Sequence, residues 1–474
     1  MPRYTFSDLS LVVVIACSIS VFNLQSTISS LAKNDPYPFF SALDPHWFVL
    51  NKEKMEYKDA EFAELLRDHV TIAISPFSQS ADRGRNIAGQ NTLGVDSQGV
   101  THYITLSDLE GRPDMLTLLY GALPMGATLP PVLQTARNEI FPGVMGTIDD
   151  QTLIDPQQLF ASFSFPQRYT KRGVRFEALA HIGGGFGVMM ETGYVSINQT
   201  RLKTVNLNCV ATSSCAFTLN VTTQELVNQY LMEELHNVMS QTNYSLDNYV
   251  KHGWEELRMS IFWRHAYELN SEYYTWPSIL AVPFFVFTGS INPSRALDEQ
   301  CKTPLFGSPL GNDKHDAVGF YTGINFDFID TIEIGIEGGI THFFKRDINQ
   351  MHIPNNEFQK AIFPFQTDVS VQPGMNWHFG AKLAAYHFLE RLSIHFQYII
   401  VEHKPDSICL KQPDPAFMPH ILEKRSEWRV HVANSGFTYD ITPNAGLGFE
   451  WQAPIYQRNT YRSSTVLFSI YGTF

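Results

Sequence analysis

What this chain lacks first is a long apolar run. After residue 30 nothing approaches twenty consecutive apolar residues, and mean hydropathy is -0.13. Proteins that cross membranes with helices need such runs, so that class is excluded. Charge is scarce too. Asp, Glu, Lys and Arg make up 17% of the chain, against a globular norm of about 25%. The balance is acidic, with a formal net charge of -13, and Lys and Arg form no basic run. Such a chain has nothing to lay along a phosphate backbone, so no nucleic-acid partner is expected. Cysteines number five, with no Cys-x-x-Cys and no histidine pair at ligand spacing. No metal site is expected, and no cofactor. Gly183-Gly184-Gly185 lacks the Lys and the following helix of a phosphate loop, and reads as a tight turn.

Aromatic residues, by contrast, are plentiful at 13%, led by 35 Phe and 20 Tyr. Low charge, many aromatics and no spanning helix suit a barrel with an apolar outer band and aromatic girdles. Period-two alternation predicts strands near 69–78, 173–182, 186–197, 255–267, 278–288 and 316–328. Six more follow near 331–344, 375–388, 391–403, 427–440, 445–454 and 461–474. Short connections at 183–185, 268–277, 329–330, 389–390 and 441–444 alternate with a second set. That set is 79–172, 198–254, 289–315, 345–374, 404–426 and the brief 455–460. Regular alternation of short and long connections is the mark of an up-and-down barrel with turns at one end and loops at the other.

The last strand carries the clearest signal. Val466, Phe468, Ile470 and Gly472 share one face, and Thr465, Leu467, Ser469, Tyr471 and Thr473 the other, before the terminal Phe474. This strand resembles the closing strand of Gram-negative outer-membrane β-barrels as a broad class. The resemblance implies an outer-membrane location, contact with lipid, and recognition of Phe474 by the barrel assembly machinery. The fold expected is therefore all-β: a transmembrane antiparallel up-and-down β-barrel of about twelve strands, with long extracellular loops containing short helices.

A charged residue facing hydrocarbon near mid-bilayer costs on the order of 2–4 kcal/mol, so the charged face of each strand must point inward. That parity predicts a lumen lined by Arg175, Glu177, Glu191, Arg258, Arg264, Glu268, Asp327, Glu333, Glu337, Lys382, Arg429 and Glu450. Glu333 and Glu337 lie on the strand beside Lys382, which predicts an ion-pair cluster there. Two strands break the pattern. Residues 278–288 are apolar on both faces and contain Pro283, implying an edge, a bulge or an apolar patch in the lumen. Asn434-Ser435-Gly436 predicts a bulge, because apolar parity shifts from Val430 and Val432 to Phe437 and Tyr439.

Outside the wall, residues 1–32 read as a signal peptide, with Arg3, an apolar core at Leu9 to Phe22 and a cleavage site at Ser30-Leu31-Ala32. Val14-Ile15-Ala16-Cys17 also loosely resembles a lipobox, which leaves lipoprotein processing open. Residues 33–68, with helical character over Met55 to Asp68, form a periplasmic or plug segment ahead of the barrel at 69–474. The 79–172 loop holds a short helix, Asp114 to Tyr120, opened by Pro113. The 198–254 loop holds a longer one, with Thr222 and Glu225 at capping-box spacing and a stripe through Leu226, Val227, Tyr230, Leu231, Leu235, Val238 and Met239. Cys209, Cys215, Cys301 and Cys409 are an even set that suits disulfides in an exported protein, either Cys209 with Cys215 and Cys301 with Cys409 or another pairing.

Three functions remain open. A passive channel for small polar solutes or ions, weakly cation-preferring, follows from a polar lumen with an acidic surplus. A plugged barrel presenting its loops as a surface binding or structural protein is the alternative. An outer-membrane hydrolase is the remote third. His431 and Ser435 share letters with the His-x-Ser-Asn-Gly pattern of outer-membrane phospholipases, but their order and spacing differ. Four residues along a strand separate them by roughly 13 Å, beyond hydrogen-bond reach, so the chain is not expected to be an enzyme.

Overall fold

The computed structural model describes residues 70–474 except 96–100, 106–107, 110–112, 143–162, 202–204, 207–224, 270–278, 293–302, 306, 309, 313, 329–331, 390 and 443. The signal-peptide reading of 1–32, the 33–68 segment with its Met55 to Asp68 helix, and Thr222 lie outside the described residues.

Twelve antiparallel strands close into a β-barrel. They are β1 (Val70–Arg85), β2 (Gln167–Gly183), β3 (Phe186–Arg201), β4 (Tyr249–Trp254 continuing as Leu257–Arg264), β5 (Ile279–Ile291) and β6 (Ala317–Phe328). Then come β7 (Ile332–Phe343), β8 (Asn376–Leu389), β9 (Leu392–His403), β10 (Trp428–Thr442), β11 (Ala445–Arg458) and β12 (Thr460–Thr473). Each pairs with its sequence neighbour. β12 pairs with β1 from Thr71↔Thr473 to Arg85↔Thr460, which closes the cylinder. Val70 and Phe474 exchange both backbone hydrogen bonds, at 3.2 and 3.0 Å, and so seal the seam at the turn end.

Alternation fixes which face points out of the barrel. Ile72 and Ile74 on β1, Ile334 and Ile336 on β7, and Phe468 and Ile470 on β12 are exposed. Their neighbours Ala73, Ser75, Glu333 and Ser469 are buried inside. Trp254 meets Tyr194 edge-on at 5.4 Å, an outward aromatic pair at the loop-side edge of this belt. Pro283 is accommodated within β5. Its partner on β4 breaks off between Arg264 and Tyr267, so the missing N–H interrupts no ladder. The inward side of this region is an apolar patch in which Leu179, Met189, Phe262, Val286 and Tyr471 pack together.

The bulge expected at Asn434-Ser435-Gly436 is absent. β9 and β10 run in unbroken register from Trp428 to Tyr439. The only shifts on β10 are against β11, between His431 and Val432 and between Asp440 and Thr442. Parity never changes, because Val430 and Val432 point inward. Toward the loop end the barrel interior is itself apolar, so an apolar residue there no longer marks the outer face.

The loops fold into a body of their own. An antiparallel sheet of Arg346–Ile353, Phe365–Gln372 and Ser407–Leu410 packs with helices Pro131–Ile140, Leu235–Gln241 and Pro419–Ser426. Leu133, Leu231, Val238, Met239, Ile353 and Val369 are buried in its apolar core. The stripe expected on 226–239 does enter this core, although residues Asn228–Glu233 wind as a π-helix. The Asp114 to Tyr120 segment is a 3-10 turn, Met115–Leu119, whose N-cap Asp114 accepts from the Leu116 N–H at 2.9 Å. Helices Pro131–Ile140 and Pro419–Ser426, each opened by proline, were not anticipated from apolar spacing.

Candidate functional site in the barrel lumen

The lumen is stratified. At the loop end, the first loop reaches into the mouth. Ile104 and Leu109 are buried against inward residues of the wall, including Phe77, Tyr169, Ile197, Val430 and Tyr461. Asp108 holds this segment in shape. Its Oδ2 accepts from the Thr105 N–H at 2.9 Å, the Thr105 hydroxyl at 2.7 Å and the Ser164 hydroxyl at 2.9 Å. At the turn end lies the apolar patch around Phe262 and Leu179. A charged and amide-lined belt lies between.

The register builds half of that belt in one row. Lys382, Gln397, Asn434, Gln452, Thr465, Gln79 and Lys171 are successive cross-strand neighbours from β8 round to β2. Side chains link along it. Asn434 Nδ2 donates to Gln397 Oε1 at 3.2 Å, and Gln397 Nε2 donates to Glu337 Oε1 at 3.0 Å. Lys382 Nζ lies 2.5 Å from Glu333 Oε1, and the Tyr386 hydroxyl donates to Glu333 Oε2 at 3.4 Å. On β2, Arg175 Nε lies 3.5 Å from Glu177. Arg258 reaches Glu191 at 4.0 Å. Buried charges must be compensated, and opposite signs on the same or adjacent strands achieve it.

Ten residues of the expected lumen set point inward: Arg175, Glu177, Glu191, Arg258, Arg264, Asp327, Glu333, Glu337, Lys382 and Glu450. Two do not enter this set. The side chain of Glu268 lies outside the described residues, although its backbone pairs with Leu280. Arg429 is a correction: it alternates with the buried Trp428 and Val430 and so lies on the outer face, opposite Glu402 and Arg458. Apolar parity misleads here because Val430 packs inward, in the apolar cluster at the barrel mouth.

Sequence reasoning gathered charges and so missed the amides Gln79, Gln397, Asn434 and Gln452. It also missed Lys171, Glu255 and Glu256, which fell in stretches read as loop or strand end. The β4 interruption at Glu255-Glu256 directs both carboxylates to buried positions. Gly311, at φ +56°, closes over Glu256, and a Cβ there would come within 2.0 Å of Oε2. A cavity of about 60 Å³ lies against the β3 to β8 side of the belt, lined by Glu191, Arg258, Tyr321, Glu337 and His378 among others.

Of the cysteines, Cys409 is an exposed thiol in the loop-domain sheet, and both expected bridges involve residues outside the described ones. Cys209, Cys215 and Cys301 lie outside the described residues. His431 and Ser435 lie four positions apart on the outer parity, and His431 shares a hydrogen bond with Tyr398. Among the described residues no cluster of His, Cys, Asp and Glu could hold a metal ion.

No protein-family model and no curated protein matches the chain. Solved structures do. An outer-membrane channel from Pseudomonas putida F1 aligns over 85% of this chain and 95% of its own, at 6% identity and a TM-score of 0.42. The toluene transporter TbuX of Ralstonia pickettii aligns over 86% and 89%, at 9% identity and 0.28. The translocator domain of the autotransporter NalP from Neisseria meningitidis aligns over 90% and 95%, at 6% identity and 0.29. At these identities and scores the likeness carries no argument about what passes through or binds this chain.

Proposed function

We propose that this chain is an outer-membrane channel for small polar solutes or ions, closed at its mouth by the first loop in the conformation described. The observation that carries the reading is the buried belt of paired charges and amides between two apolar layers. A barrel with a purely structural interior gains nothing from interior charges, because apolar packing of equal volume is often as stable or more so. A polar belt lowers the barrier for a polar solute crossing the same space. Ile104 and Leu109 then act as a lid whose contacts are apolar and separable from the wall. Six acidic against four basic residues in the inward set favour cations modestly. Phe474 serves the assembly machinery in this reading, and the 1–32 segment directs export.

A second reading has its own support. The loop domain has a continuous apolar core, more than a channel mouth requires, and a plugged barrel displaying that domain as a binding or structural surface fits it.

Planar-bilayer conductance separates the two. The channel reading expects low, intermittent conductance in the wild type and sustained conductance in an Ile104→Ser/Leu109→Ser variant. A salt gradient should then give a reversal potential on the cation side. If neither protein conducts at any voltage, the channel reading fails and the surface reading stands.

A further inference from the structure

We infer that the outer face of β1, β2, β11 and β12, just beyond the lipid belt at the loop end, binds the phosphate groups of a glycolipid headgroup.

The chain is acidic as a whole, yet this patch is basic. On β2, Arg168 and Arg172 are exposed on the same parity as Val174 and Phe176. On β12, Arg462 continues the exposed row of Ile470, Phe468 and Val466. On β1 the outward row Ile72, Ile74, Pro76, Ser78 and Ser80 ends at a bulge between Ala81 and Gly84. The bulge turns two successive residues outward, Asp82 and Arg83, before Gly84 returns inside. Register places them side by side. Tyr169 and Ser463 both face Ala81, so Arg168 and Arg462 flank the bulge that carries Arg83. With strands about 4.8 Å apart, three guanidinium groups on neighbouring strands span roughly 10 Å.

Arg85 extends the patch, and aromatic rings hold it and Arg83. Arg83 lies over the Tyr103 ring at 3.9 Å and Arg85 over the Tyr456 ring at 5.8 Å. Carboxylates are few here. Asp82 stands 3.8 Å from Arg83, and Glu427 3.8 Å from Arg458. Neither Arg168, Arg172 nor Arg462 has an ion-pair partner among the described residues. On the other half of the barrel the outward residues at the same end mix apolar Trp254, Ile291, Phe344 and Met375 with charges of both signs, Glu402, Lys404 and Arg429, of which Lys404 is paired with Glu402 at 2.6 Å.

The chemistry selects the occupant. Guanidinium groups pair bidentately with phosphate oxygens, and these sit where lipid chains give way to headgroups. A soluble anion would not need a site continuous with the hydrocarbon-facing row, whereas a lipid anchored by its chains presents its phosphates at that level. The inference rests on the outer-membrane location proposed above and is independent of conductance.

The test uses the full-length folded protein in detergent, with native mass spectrometry to count bound lipid. The probes are a diphosphorylated diglucosamine lipid and the same lipid after phosphatase treatment. The phosphorylated form should be retained and the treated form lost. The R168Q/R172Q/R462Q variant removes three surface charges, each worth about 1 kcal/mol, so affinity should fall roughly a hundredfold. K345Q should leave it unchanged. Should the triple variant fail to fold, R462Q alone should cost roughly fivefold. Equal retention of the two lipids, or undiminished binding by the folded variants, would overturn the inference. So would displacement by inorganic phosphate at equal concentration, or a dimer that the triple variant abolishes. Loss of conductance in the channel assay would leave this result untouched.

Discussion

Lys171 on β2 and Glu255 at the interruption of β4 form an ion pair of 2.6 Å whose two side chains are wholly buried. The pair reaches across β3, whose Ile197 is the direct neighbour of both Lys171 and Lys251. It ties the interrupted strand of the wall to its surroundings. Removing one member leaves an uncompensated buried charge, which costs about 3–5 kcal/mol. Glu255→Leu and Lys171→Met should therefore each lower the denaturation midpoint of the barrel in detergent. The double variant should recover most of the loss, because an apolar pair of similar volume is tolerated. Additive losses in the double variant would show that the pair does not act as a unit.

His352 is a neutral imidazole built into the loop domain. Its Nδ1–H donates to the Phe363 carbonyl at 2.9 Å, its Nε2 accepts from Gln366 at 2.8 Å, and its ring stacks on Tyr244 with centroids 4.0 Å apart. Burial pulls its pKa from 6.5 down to about 4. The unfolded state then binds the proton more readily than the folded one. The contribution is complete above pH 6.5 and is lost as pH falls through the window toward 4, by about 3 kcal/mol in all. Hydrogen exchange of 348–353 and 363–371 should accelerate at pH 5 relative to pH 7, while the barrel strands hold. A His352→Gln variant should lose that pH dependence.

Cys409 is exposed on the sheet of the loop domain. A membrane-impermeant maleimide added to intact cells should label it, and Cys409→Ser should abolish the labelling at this site. Protection in intact cells with labelling after lysis would reverse the proposed orientation of the barrel.

Phe474 contributes two backbone hydrogen bonds to the seam with Val70, while its side chain is largely exposed. The assembly role proposed for it is thus separable from its role in packing. Phe474→Ala keeps both backbone bonds and should lower the yield of folded barrel in cells while leaving refolding in detergent close to wild type. Equal loss in both settings would assign the residue to stability instead.

The lumen was legible only where the outer face is apolar. There Ile334, Ile336, Glu333 and Glu337 reveal their faces because the outer row is apolar and the inner row carries the charges. At Arg429 the same logic misleads, because Val430 and Val432 pack against other apolar side chains inside the mouth. The uncharged amides of the belt, such as Gln397 and Asn434, gave no signal of their own. Their meaning comes from lying opposite Lys382 and Gln452 in the ladder.

What the sequence by itself determined is the cylinder: its strand positions, the alternation of turns and loops, and the parity of each strand across its apolar outer band. The reason is local, since every second residue of a strand faces the same side whatever its neighbours are. Only the tertiary structure decided the rest. The folded loop domain, the first loop in the mouth, the Lys171 to Glu255 pair and the arginine patch all join residues far apart in the chain. Their energies depend on which side chains the ladder register brings face to face, and no single strand contains that information.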